Sequence, residues 1–198
     1  YEQGQAIYDA QGEVVALEGL IIDVTAKKNQ ENRVEFLFSH DTLTGVFNRR
    51  HYLEEKKRME NDESLLPISV IVGDIDGLKF FNDAFGTRKG DANLIEAAHL
   101  ITKCLREGDV LARIGGDDFA ILLPQTDEKT AQEIVRSIEA SFNAYNANFS
   151  IDFDRIFMTF GYATKDMPDI ALSSVRKLAE DNMNKRKLLE RKSLHSAI

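Results

Sequence analysis

Residues Pro67 to Ile75, PISVIVGDI, form a nearly continuous apolar run that closes on Asp74, Ile75 and Asp76. A short run of this kind reads as a strand buried on both faces. Two more runs, 110–114 and 119–124, flank Gly115, Gly116, Asp117 and Asp118, and read as a β-hairpin. Gly115 and Gly116 are expected to supply the positive-φ conformations of a tight hairpin turn. A further strand is expected at about 154–164, and apolar residues at helical spacing predict helices over 48–62, 91–106, 127–145 and 170–192. The expected fold class is therefore α/β, a layered α+β arrangement whose central, mainly antiparallel sheet carries helices on its faces.

The beginning of the chain has a different pattern. Gln5 to Tyr8 and Glu13 to Val24, separated by Asp9, Ala10, Gln11 and Gly12, read as a second hairpin. Residues 26–39 read as a connecting helix, polar apart from Val34, Phe36, Leu37 and Phe38. Two strands are rarely stable alone in water, so the chain is expected to be a piece of a longer protein. The helix is too short for the three or four heptads that establish a coiled coil, which leaves a plain interdomain helix open beside a signalling one.

Composition narrows the functional classes. With 198 residues, 43% hydrophobic and 29% charged, the chain can bury a full core and form one principal domain plus an appendage. A net charge of −8 argues against nonspecific binding of nucleic acid or anionic membranes. No apolar stretch approaches the roughly 18 residues of a membrane span, and none reads as a signal peptide, so the expected location is cytoplasmic, alone or within a larger membrane-attached protein. The single Cys104 sits beside an apolar helix face as a core thiol, and His40, His51, His99 and His195 lack metal-ligand spacing.

The acidic residues carry the candidate chemistry. Asp74 at a strand end, with Asp117 and Asp118 on the hairpin, offers the hard oxygen ligands that Mg²⁺ shares with phosphates. Each piece has a plain alternative: an Asp-rich hairpin is often a solvated turn, and an Asp at a strand end commonly caps a helix.

Order and spacing join these pieces. The segment from His40 to the C-terminus resembles the GGDEF family of diguanylate cyclases. His40, Asp41, Thr42, Leu43, Thr44 and Gly45, with Asn48, Arg49 and Arg50, resemble its opening motif. Asp74, Ile75 and Asp76, then Lys79, Asn82, Asp83, Gly86, Gly90 and Asp91, resemble its metal and guanine segment, and 115–119 resembles the signature hairpin. Residues 23–28 resemble the closing strand of a PAS domain. The resemblance divides the chain into a PAS-like fragment at 1–25, a connecting helix at 26–39 and a cyclase domain at 40–198, with a β-α-α-β-β-α-β fold related to nucleotidyl-cyclase palm domains.

It also assigns roles. Asp74 and Asp117 become side-chain ligands of Mg²⁺ or Mn²⁺ and Ile75 a carbonyl ligand, with Asp118 completing the metal site or helping to deprotonate a hydroxyl. Asn82 and Asp91 read the guanine edge, as an amide and a carboxylate match its acceptors and N–H donors. Caps around a Gly86 to Gly90 loop are the alternative for these two. Lys79 is a phosphate candidate. Lys187 and Arg191, one turn apart on the last helix, can grip a triphosphate, although a solvated basic face is a strong rival. Arg106 and Asp109 stand where the family has its inhibitory site for cyclic di-GMP; alternatively Arg106 serves a helix C-terminus and Gly108 is its αL cap.

The activity implied is condensation of two GTP into cyclic di-GMP by a homodimer, governed by an attached upstream sensor. Three positions depart from the family pattern: Asp118 replaces the usual Glu, Leu78 a common aromatic and Thr87 the usual His. The shorter Asp118 side chain keeps open a degenerate domain that binds GTP or cyclic di-GMP as a regulatory module, and a dimerisation scaffold is a third possibility.

Overall fold

The structure, a computed structural model, describes residues 2–151 and 155–196; the side chains of residues 2, 20–21, 31–32, 190–191 and 193–196 fall outside that description. Two compact units divide at Phe38 and Ser39. In the first, β1 (Glu2–Tyr8) pairs antiparallel with β2 (Val14–Ile21), and α1 (Thr25–Ser39) follows. Leu17, Tyr8, Val15 and Val14 are exposed on this two-stranded sheet.

The second unit is built on a mixed sheet. Its elements are β3 (Phe47–Asn48), α2 (Arg49–Glu60), β4 (Ile68–Ile75), α3 (Leu78–Phe85), α4 (Thr87–Thr102), β5 (Val110–Arg113), β6 (Asp118–Leu123), α5 (Glu128–Asn146), β7 (Met158–Lys165) and α6 (Leu172–Ser196). Among the described residues the sheet has five strands in the order β3-β5-β6-β4-β7. Only the short β3 pairs parallel, with β5; the other pairings are antiparallel.

Period-two alternation sorts the sheet's side chains into two cores. Ile71, Ile75, Leu111, Phe119, Ile121, Leu123 and Phe160 pack against α4 and α5, through residues such as Ala97, Ile101, Val135 and Ile138. Ile68, Val70, Val72, Val110, Ala120 and Leu122 pack instead against Tyr52 and Met59 of α2 and Val175, Ala179 and Met183 of α6. Burial on both faces explains why β4 reads as an unbroken apolar run. At roughly 1.5–3 kcal/mol for each fully buried aliphatic side chain, these cores fix the register that places the polar residues at the strand ends.

Several segments differ from the sequence expectation, among them the helix expected at 91–106, which runs from Thr87 to Thr102. The stretch around Gly86 to Gly90 is not a loop: Gly86, at φ 87, joins α3 to α4, which begins at Thr87. Asn82 and Asp91 therefore lie within helices and cap neither. Gly77, at φ 71, makes the turn into α3 in a left-handed conformation that a Cβ would penalise. The final strand runs 158–165, and residue 154, its expected start, lies outside the described residues. No helix among the described residues is long and apolar enough to cross a membrane.

Candidate functional site

Strand register assembles the carboxylates. Asp74 lies opposite Asp118 on β6 and opposite Thr159 on β7. Residues directly opposite in antiparallel ladders project to the same face, so a polar cluster forms on the α6 side, continuing the row of Val70 and Val72. Asp117 in the preceding turn is held by its carbonyl, which accepts from the Ile75 N–H at 3.4 Å. Carboxylate oxygens of Asp74, Asp117 and Asp118 all lie within 4.8 Å of one another.

Helix α6 brings a cation to this cluster. Lys187 lies one turn beyond the buried Met183, and its Nζ donates to Asp74 Oδ1 and lies 3.1 Å from Asp76 Oδ1. Asp76 Oδ2 in turn accepts from the Thr159 hydroxyl at 2.8 Å. Burial holds the Asp74 carboxyl above its ordinary range; the Lys187 ammonium opposes this and the charges of Asp117 and Asp118 add to it. Burial lowers Lys187, but its bonds and charge contacts with Asp74 and Asp76 prevail and leave its pKa raised. The cluster is thus an excess of negative charge with a single lysine drawn into it.

The hairpin turn is built differently from the sequence expectation. Gly115 and Gly116 are not among the positive-φ residues. Gly115 leaves room for a carboxylate, since a Cβ there would stand 2.8 Å from Asp118 Oδ2 and displace it. The Gly116 carbonyl accepts from Arg113 Nε at 3.0 Å and Nη2 at 2.6 Å, while Arg113 Nη1 donates to Asp41 Oδ1 at 3.2 Å. Burial raises the Asp41 carboxyl, but hydrogen bonds from the Thr44 hydroxyl and amide, with the Arg113 guanidinium, hold it below the usual range. Arg113 thereby ties the opening motif to the signature turn.

Beside the acids, α3 and α4 bring Asn82 against Gly90. Asn82 Oδ1 is buried with no hydrogen-bond partner in the structure, and a Cβ on Gly90 would collide with it. Asp91 follows on an exposed turn of α4, and Lys79 is exposed near the start of α3. The side chain of Arg191 lies outside the described residues.

The Arg106 and Asp109 pair forms a separate cluster. Arg106 Nε donates to Asp109 Oδ1 at 3.2 Å, its backbone N–H to Asp109 Oδ2 at 3.0 Å, and its Nη2 to the Pro124 carbonyl at 2.8 Å and to Thr126 Oγ1. Helix α4 ends at Thr102 with Lys103 as C-cap, so Arg106 lies beyond its last turn. Gly108 has φ 94 in the turn leading to β5 and does not cap α4, contrary to the helix-cap alternative.

A hard divalent cation fits the acidic donor set. Three carboxylates converge, all oxygen donors, and their mutual repulsion and burial are the terms such an ion relieves. Sequence reading found these donors, named Asp76 beside them without a role, and missed Thr159 and Arg113 as members of the network. The available signal was an arginine, Arg113, at the end of the strand that leads into the glycine pair.

Comparison with known proteins follows the same segment. The family described as diguanylate cyclase, GGDEF domain, matches residues 38–193. The diguanylate cyclase DgcM of Escherichia coli K12 is 34% identical over 124 residues, 62% of this chain and 30% of that protein. The coiled coil and GGDEF domain of DgcB from Caulobacter crescentus, solved with c-di-GMP, superposes with a TM-score of 0.73 at 24% identity, over 83% of this chain and 88% of that one, a likeness of fold. The DgcB GGDEF domain alone, also with c-di-GMP, gives a TM-score of 0.68 at 26% identity, over 75% and 87%. The chain spans less than a third of the curated relative's length.

Proposed function

The chain belongs to the GGDEF family of diguanylate cyclases, and from that membership we propose that it condenses two GTP into cyclic di-GMP with release of two pyrophosphates. The observation that carries this reading is the convergence of Asp74, Asp117 and Asp118 at the ends of β4 and β6, with Lys187 beside them. Asp74, Asp117 and Asp118, with the Ile75 carbonyl, are the residues that hold Mg²⁺ or Mn²⁺. When bound, that ion neutralises phosphate charge and polarises the phosphoryl group under attack.

The chain's own residues do the rest. Asn82 and Asp91 orient the guanine; Lys79 and Lys187, joined by Arg191, hold the phosphates. The 3′-hydroxyl of one nucleotide must approach the α-phosphate of the other in line, which asks for two domains face to face, each with one GTP. Asp118 completes the metal site or helps to deprotonate the hydroxyl. Residues 1–25 are proposed as the end of a PAS-like sensor and 26–39 as the helix that relays its state to a cyclase domain at 40–198, in the cytoplasm. Incubating the protein with GTP and Mg²⁺, then identifying products by mass spectrometry, tests the reading; unchanged GTP would overturn it.

A regulatory binding module is the second reading, favoured by one observation, the Asp at position 118 where the family pattern has Glu. A side chain one methylene longer reaches further toward a substrate, and misplacement on the order of 1 Å can cost about 100-fold in rate. Asp118→Glu is therefore expected to keep or raise turnover. A ten-fold loss would show that the site has adapted to Asp.

Arg106 and Asp109 are proposed to bind cyclic di-GMP as an inhibitor. The Asp109 side chain is buried and pins a half-exposed guanidinium, an arrangement suited to a phosphate or a guanine edge. Arg106→Ala is expected to weaken product binding by about ten-fold, the worth of a charged hydrogen bond, and to spare GTP affinity. Calorimetric titration of cyclic di-GMP against both proteins checks this, and equal affinities would remove the assignment.

A further inference from the structure

We propose that Asp76 and Thr159 are positioning residues for Lys187, keeping its ammonium as a resident counter-ion of the acidic cluster and then holding it for the triphosphate once a metal ion takes Asp74. The inference rests on the nucleotide reading of the site.

The geometry separates the two carboxylates that Lys187 touches. Asp74 belongs to the group of carboxylates that converge on one point, with Asp117 and Asp118; Asp76 does not. Asp76 is pinned from both ends: its N–H donates to the Phe157 carbonyl at 2.9 Å, and its Oδ2 accepts from the Thr159 hydroxyl at 2.8 Å. Thr159 is 3% exposed and sits in the β4–β7 ladder opposite Asp74, so its hydroxyl has little freedom. Asp76 Oδ1 is left facing Lys187 at 3.1 Å.

An ammonium has three N–H donors, and these carboxylates take two. Lys187 would share the Asp74 oxygen with a divalent ion held there, whose higher charge would weaken that bond. The bond to Asp76 lies outside that competition. Lys187 is then retained at the edge of the cluster by one anchored carboxylate, with donors turned toward the phosphates that arrive with the metal. Without the Thr159 hydroxyl, Asp76 can rotate, and the long lysine chain must be ordered by the nucleotide itself, a loss that appears in binding.

Thr159→Val removes the hydroxyl and keeps the volume and charge; Thr159→Ser keeps the hydroxyl. The probe is a GTP analogue with a methylene between the α and β phosphorus atoms, titrated by calorimetry with Mg²⁺. Thr159→Val is expected to bind about ten-fold more weakly and Thr159→Ser within about two-fold of the parent, with similar thermal melts. In a second arm, Mn²⁺ is titrated by electron paramagnetic resonance without nucleotide; Lys187→Met is expected to bind Mn²⁺ several-fold more tightly, because the competing ammonium is gone. Parent-like analogue affinity in folded Thr159→Val, or no tightening in Lys187→Met, overturns the inference. If parent and variants alike fail to bind the analogue, the nucleotide reading itself falls and takes this inference with it.

Discussion

Asp74→Asn will lower GTP turnover by about a thousand-fold while the protein stays folded, and Asp117→Asn will do the same. The metal's stabilisation of transferred phosphoryl charge is worth several kcal/mol, and each roughly 1.4 kcal/mol is a factor of ten. Asparagine matches aspartate in volume, so the site loses charge without gaining a cavity. The fold has reason to tolerate it: burial already disfavours the Asp74 carboxylate, and Asp117 and Asp118 repel it. Lys187 keeps Asp76 as a partner in the variant. Turnover of GTP by purified Asp74→Asn, beside a thermal melt, is the measurement. A folded variant with parental turnover would remove Asp74 from the metal site and with it the basis of the proposed mechanism.

How far the sequence revealed this site depends on which residues one considers. The continuous apolar run of β4 announced a central strand, and its ending at Asp74 announced where the acids would lie. The alternation of Phe119, Ile121 and Leu123 with Ala120 and Leu122 was equally legible, because the sheet buries both sides. Helices α3 and α4 were less so: Gly86 and Gly90 resemble loop punctuation, yet only Gly86 breaks the helix, while Gly90 is a buried helical position against which the Asn82 side chain packs. The two-residue β3 is too short to show any period. The partners of Asp76 and Arg113 depend on pairings between distant segments, Thr159 on β7 and Asp41 ahead of β3, which nothing in the local pattern specifies. The Gly115 and Gly116 reading assigned the right residue type to the wrong cause: at Gly115 the constraint is the Asp118 carboxylate above it, not backbone φ.

Gly90→Ala is expected to leave the melting temperature nearly unchanged and to reduce discrimination of GTP over ATP by about 100-fold. A methyl at position 90 would overlap Asn82 Oδ1, but that atom is the end of a rotatable side chain, so the conflict is resolved by displacing the amide and not the backbone. The fold loses little, since Asn82 Oδ1 makes no hydrogen bond that the displacement would break. The nucleotide site loses much on the proposed reading, because a buried amide aimed at the guanine edge is what makes adenine a poor fit, and an unsatisfied buried group costs about 1–3 kcal/mol. Ala is also a better helix former than Gly at this position of α4, by roughly 1 kcal/mol, which offsets residual crowding. Competition between GTP and ATP for the variant, measured with the thermal melt, separates the outcomes. A stable variant with parental selectivity would show that Asn82 does not read the base, whereas a variant that melts far below the parent would show that the α3–α4 contact cannot yield as argued.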